Sequence, residues 1–119
     1  MSPAARSLFV FGLYVTAAAL AFLVAPAAVL QLLRLPPLAD GWLRVIGLLS
    51  LVIGVYDLTG SKFELRPYIR ASVWVRVGFA GGVAVLVALG QMPVTLLPFG
   101  VIDLAGAIWT ASALRRQAR

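Results

Sequence analysis

Four long apolar segments take up most of this 119-residue chain, and no water-soluble fold can accommodate them all. The first begins after Arg6 and runs from Ser7 to Ala25. The second covers Trp42 to Leu58, the third about Ile69 to Gly90, and the fourth about Pro93 to Leu114. An α-helix rises about 1.5 Å per residue and the hydrocarbon core of a bilayer is about 30 Å thick, so segments of this length cross it, the second only just. Hydrophobic residues make up 62% of the chain and charged residues 12%. A soluble domain carries about a quarter charged residues, so this chain lacks the polar side chains to cover a water-facing surface. The expectation is an all-α integral membrane four-helix bundle, one transmembrane domain over residues 1–119.

Local signals mark the segment ends. Asp40 is a candidate N-cap for the second helix and Pro93 a candidate first residue of the fourth, while Gly60 and Gly90 are stop signals. The first apolar stretch runs on past Ala25. As one helix from Ser7 to Leu33 it would be about 40 Å long, too long for an untilted span. Pro26 offers a break, after which AAVLQLLRL reads as a short amphipathic helix at the interface, carrying Gln31 and Arg34 and ended by Pro36-Pro37. One long kinked helix is the alternative. The small residues at Ala25-Pro26-Ala27 also fit a cleaved signal peptide, and everything after them would still be membrane.

Lys and Arg set the orientation. With four spans, both termini and the middle loop share a face that holds Arg6, Lys62, Arg66, Arg70, Arg115, Arg116 and Arg119; the other face has only Arg34 in its loops. The positive-inside rule then places both termini in the cytoplasm. This basic cluster serves topology and anionic headgroups, so the net charge of +6 does not call for a nucleic acid partner. With one Lys against nine Arg and much Ala, Leu and Val, the composition suggests a bacterium with GC-rich DNA, hence its inner membrane. Cys and His are both absent, which removes thiolate chemistry, disulfides, iron–sulfur clusters, and the commonest metal ligand and general base. No metal and no cofactor held by the chain's own residues is expected.

Small residues suggest how the helices meet. Gly78 and Gly82, with Gly81, give the third helix a face that a second backbone can approach closely. Gly47 and Gly54 do the same for the second helix, and Gly100, Ala105, Gly106 and Ala107 for the fourth. The expectation is a tight bundle with little central volume; pairing between protomers through Gly78 and Gly82 is the alternative.

Four charges lie inside the spans: Arg44, Asp57, Arg76 and Asp103. Each costs about 2.5–3.5 kcal/mol at mid-membrane, which disfavours exposing any of them unpaired to lipid. Helical rise places Asp57 about 3 Å, Arg76 about 10 Å, Asp103 about 16 Å and Arg44 about 22 Å from the cytoplasmic boundary. The signs alternate, so the expectation is a ladder in which Asp103 is shared by Arg76 and Arg44 while Asp57 takes the other side of Arg76. Such a ladder either pins helix register or serves a ligand. Tyr14, Thr16, Ser50, Tyr56 and Trp74 are candidates to line the same interior.

The sequence Arg44-Val45-Ile46-Gly47, the run Arg76-Val77-Gly78 and the mid-helix Asp103 resemble the small bacterial four-helix membrane proteins grouped around DoxX. That resemblance implies a four-helix bundle and an accessory role beside a membrane oxidoreductase. The expected function is a non-catalytic accessory or assembly subunit that binds a lipid, a quinone or a partner membrane protein, or a second copy of itself. The alternative is a small proton-coupled or ion transporter using the same buried charges. Small multidrug transporters are similar in length, but they depend on a Glu in the first helix, and here that helix has no acid.

Overall fold

Ser2 and Pro3 open the first helix. The Ser2 hydroxyl accepts the Ala5 N–H at 3.2 Å and Pro3 occupies the first turn, where its missing N–H costs nothing. In a computed structural model, the structure describes residues 1–118, and α1 covers Pro3–Val24. The position of Arg119 in the basic cluster lies outside the described residues. The chain breaks at Ala25 (φ −136°, ψ 62°), because Pro26 excludes α-helical backbone at the preceding residue. Helix α2, Pro26–Leu33, follows as a separate short element and closes on Arg34 in the left-handed conformation (φ 53°).

Helix α3 spans Asp40–Lys62, α4 Arg66–Ala88 and α5 Leu97–Ala118, the last preceded by a single 3-10 turn over Val94–Leu96. The four long helices, of 22, 23, 23 and 25 residues with that turn included, are each long and apolar enough to cross a membrane, so this is a multi-pass membrane protein with an all-α four-helix architecture. Three boundary expectations need correction. Ala39 is the N-cap of α3, so Asp40 sits in the first turn, where its charge meets the positive end of the helix. Pro93 precedes the 3-10 turn and does not itself begin the long helix. Gly60 does not stop α3; instead it accepts the Tyr68 ring against its Cα, and the helix continues to Lys62. Gly90 does act as a stop, with a positive φ of 74° just after α4.

The helices alternate in direction. α1 packs along α3 on one side and against α5 on the other, and α5 packs along α4, whereas α3 and α4 barely touch. The spatial order α3–α1–α5–α4 makes an open curved wall, 18 Å through its thinnest dimension. It is sealed at the end where α1 begins and α5 finishes. There Ala4, Ala5, Leu8, Ile69 and Ala113 form a dry cluster. The Ala4 N–H donates to Gln117 Oε1 at 2.7 Å, and Ser2 donates to the Glu64 carboxylate of the α3–α4 turn through both its N–H and its hydroxyl.

Glycine explains the α1–α3 seam. A Cβ on Gly54 would meet the Thr16 hydroxyl and, at 3.3 Å, the Thr16 Cα; one on Gly47 would stand 3.1 Å from the Ala19 carbonyl. Gly12 opposes the Asp57 Cβ in the same way. The expectation fails on α4. Gly78, Gly81 and Gly82 have nothing within 4 Å of a built Cβ, and all three are exposed. α4 turns Ile69, Ser72, Arg76 and Val83 inward instead, because Arg76 and the serine must reach oxygen partners on the neighbouring helices or in their own turn. Ala105 is also exposed, while Gly100, Gly106 and Ala107 are at the packed side of α5.

Candidate functional site: a polar-sided cavity between α3 and α4

The gap between α3 and α4 is a cavity of about 610 Å³, in place of the tight centre that the small residues suggested. This is within the range of small-molecule sites. Its back wall is α1 and α5, through Phe11, Tyr14, Phe22, Phe99 and Asp103. Its flanks are α3 (Ile46, Ser50, Ile53, Tyr56, Asp57) and α4 (Tyr68, Ser72, Val75, Arg76, Phe79). The far end is closed by apolar residues of α2 and the loops, among them Leu30, Pro36, Pro37 and Leu96. Ile46, Ile53, Val75 and Phe79 are exposed on the two flanking helices, so the cavity opens sideways between α3 and α4.

Polar groups gather at the terminal end of this cavity. Asp57, only 4% exposed, accepts the Tyr68 hydroxyl at 2.6 Å. Arg76 is equally buried and is held by neutral oxygens. Its Nε donates to the Ser72 carbonyl at 3.1 Å, and its Nη2 donates to Ser72 Oγ at 3.2 Å and Thr110 Oγ1 at 2.8 Å. The protons run in one direction from there. Ser7 gives its hydroxyl proton to the Ala4 carbonyl at 2.7 Å, so Thr110 must be the donor in the 2.7 Å bond between Thr110 and Ser7. Thr110 is thereby free to accept from Arg76.

The guanidinium also sits 4.8 Å from the Phe11 ring centre, a cation–π contact. Its Nη1 lies where a Gly106 side chain would be, 3.0 Å from a built Cβ, and this buried nitrogen has no hydrogen-bond partner. Gly106 thus makes room for the cation.

The expected ladder is therefore only partly assembled. Asp57, Arg76 and Asp103 all line the cavity, but among the described residues no Arg nitrogen comes within 4 Å of a carboxylate oxygen. Arg44 is outside the group altogether: it is exposed, and its Nε donates to the Leu23 carbonyl at 3.3 Å. The reason is rotational. Gly47 and Gly54 turn their face of α3 onto α1, which carries Arg44 to the outside. Tyr14 and Tyr56 line the cavity as expected, whereas Trp74, 75% exposed, faces outward. Tyr68, Ser72, Thr110, Ser7 and Phe11 were not anticipated as partners. The available signal was their height, since each lies within a turn or two of the charge it serves when the antiparallel helices are aligned.

No family model, curated protein sequence or solved structure matches this chain. The resemblance to DoxX-like proteins rests on its own residues alone.

Proposed function

We propose that this protein is a non-catalytic subunit of a bacterial inner membrane, with both termini cytoplasmic, that binds an amphiphilic small molecule in the cavity between α3 and α4. A lipid or a quinone is the class of ligand, and an accessory role beside a partner membrane protein is the setting that the DoxX-like resemblance implies. The observation that carries the reading is the cavity itself: its walls are apolar over most of their length, and Asp57, Tyr68, Arg76 and Asp103 converge on one part of it. An apolar pocket with a few convergent polar groups is the usual form of such a site. The sideways opening suits a ligand that arrives from the bilayer. The non-catalytic reading rests on the residue set: two carboxylates, Asp57 and Asp103, in a chain without the His or Cys that would serve as general base, thiolate or metal ligand.

Native mass spectrometry of the protein released from its own membrane in mild detergent tests the proposal. The expected result is a retained small-molecule adduct, lost when Ile53→Trp fills the cavity. An adduct equally retained by that variant, or absent from the wild type, overturns the binding reading. Substrate-dependent proton flux in vesicles holding this chain alone would establish transport in its place.

A further inference from the structure

A second, smaller cleft of about 220 Å³ opens between α4 and α5 at the terminal end, lined by Arg66, Arg70, Leu114, Arg115, Gln117 and Ala118. Three of these six residues are cations and none is an acid. Arg66 and Arg70 are four apart on one helix, the spacing at which like charges face one another and repel. Arg115 adds a third positive charge from α5. The nearest acid along the chain, Glu64, is engaged by the Ser2 N–H and hydroxyl. Arg66 is also the first residue of α4, whose N-terminal end contributes further positive potential. Gln117 is fixed by its amide oxygen, which accepts the Ala4 N–H at 2.7 Å, so its NH₂ group is the end left free to donate.

We infer that this cleft binds the headgroup of a dianionic phospholipid: one with two phosphodiesters, such as a cardiolipin, or a phosphomonoester. Three cations in a cleft whose lining holds no acid, the one nearby carboxylate, Glu64, being engaged by Ser2, are poorly matched by one phosphodiester charge and well matched by two. Basic pockets between membrane helices at the cytoplasmic face are a recurrent mode of such recognition. The lipid, as opposed to a free anion, is indicated by what lies beside the charges. Leu114 gives the cleft an apolar side, and Trp74, one turn from Arg70 toward the membrane centre, is exposed where headgroup gives way to acyl chain. The site is independent of the cavity between α3 and α4 and shares no lining residue with it.

The test titrates the full chain in mild detergent with tetraoleoyl cardiolipin, with dioleoyl phosphatidylglycerol and with inorganic pyrophosphate, reading bound fractions by native mass spectrometry. Cardiolipin should bind at least about tenfold more tightly than phosphatidylglycerol, and Arg70→Gln with Arg115→Gln should weaken it by about 30-fold, at about 1 kcal/mol per cation. Both arginines are exposed and donate no hydrogen bond within the described residues, so the variant keeps its fold. The control, Arg6→Gln with Arg116→Gln, removes equal charge from the same end but outside the cleft, and should weaken binding less than about threefold. Equal losses in the two double variants would reduce the site to a diffuse basic surface. Equal affinity for the two lipids would refute the charge match, and displacement of cardiolipin by comparable pyrophosphate would assign the cleft to soluble anions.

Discussion

The hydrogen bond from Tyr68 to Asp57 gives the sharpest test of the cavity's polar end. Asp57 is almost wholly buried, and the 2.6 Å bond from Tyr68 is the one side-chain donor it has among the described residues. Tyr68→Phe keeps the ring against Gly60 and removes only the hydroxyl. A hydrogen bond to a charged group contributes about 1.5–3 kcal/mol, and deleting one partner leaves the other desolvated without compensation. The expected cost is therefore about 1.5–3 kcal/mol in the wild-type background. Where Asp57 is already Leu, the same change should cost less than about 0.5 kcal/mol, because the phenol then has no acceptor to lose. The difference, read from unfolding of the single and double variants in one mild detergent, is the coupling energy. Ring packing cancels from this cycle, as does the longer-range influence of Arg76. A coupling below about 0.5 kcal/mol would refute the pairing, since no other term in the cycle has its sign and size.

Further predictions concern the helix seams, the excluded arginine and the terminal clasp. Gly54→Leu should destabilise by about 3 kcal/mol or prevent folding, because Thr16 backbone atoms lie 3.2–3.3 Å from a Cβ there; Gly82→Leu, with open space around it, should be within about 1 kcal/mol of wild type. Equal effects at the two glycines in a detergent unfolding assay would mean that the packing faces are misassigned. Arg44→Gln should cost less than about 1 kcal/mol, since a single 3.3 Å bond to a carbonyl is all it loses; a larger loss would return Arg44 to the charge ladder. Hydrogen bonds from the Ser2 N–H and hydroxyl hold the Glu64 carboxyl below its usual range, with a smaller effect of Arg66. A depressed folded value stabilises fully above the unfolded pKa of about 4.3, and the effect is lost as pH falls through the folded value. Glu64 is exposed, so the effect is local. Amide exchange at residues 4–6 should quicken as pH drops below about 4, after correction for the intrinsic rate, and Glu64→Gln should abolish that pH dependence.

Hydropathy and local signals carried the secondary structure a long way. Four spans, a break at Pro26, a short helix before Pro36-Pro37 and a stop at Gly90 all follow from side chains acting on their own backbone or on the bilayer. Gly47 and Gly54 were legible as a contact face because a missing side chain means the same thing wherever the helix is placed. The same reasoning misassigned Gly78 and Gly82. A small residue permits close approach but does not supply a neighbour, and α4 met α5 with a different face.

The charges show the limit most directly. That Asp57, Arg76 and Asp103 needed company was evident from the cost of isolated charge in hydrocarbon. Their alternating heights made a ladder of ion pairs the simplest answer. The folded chain instead surrounds Arg76 with the oxygens of Ser72 and Thr110 and the face of Phe11, gives Asp57 a phenol, and leaves Arg44 outside. Height along the membrane normal can be counted from sequence; rotation about each helix axis cannot. In water the apolar stripe of a helix reveals which side is buried. In a membrane, lipid and protein interior are equally apolar, so that stripe disappears. The sequence by itself determined which segments are long and apolar enough to cross a membrane and how far along its helix each polar group sits. The order α3–α1–α5–α4, and with it the open cavity and the arginine cleft, was decided only by packing, where close approach and hydrogen-bond satisfaction choose among rotations that hydrophobicity leaves equal.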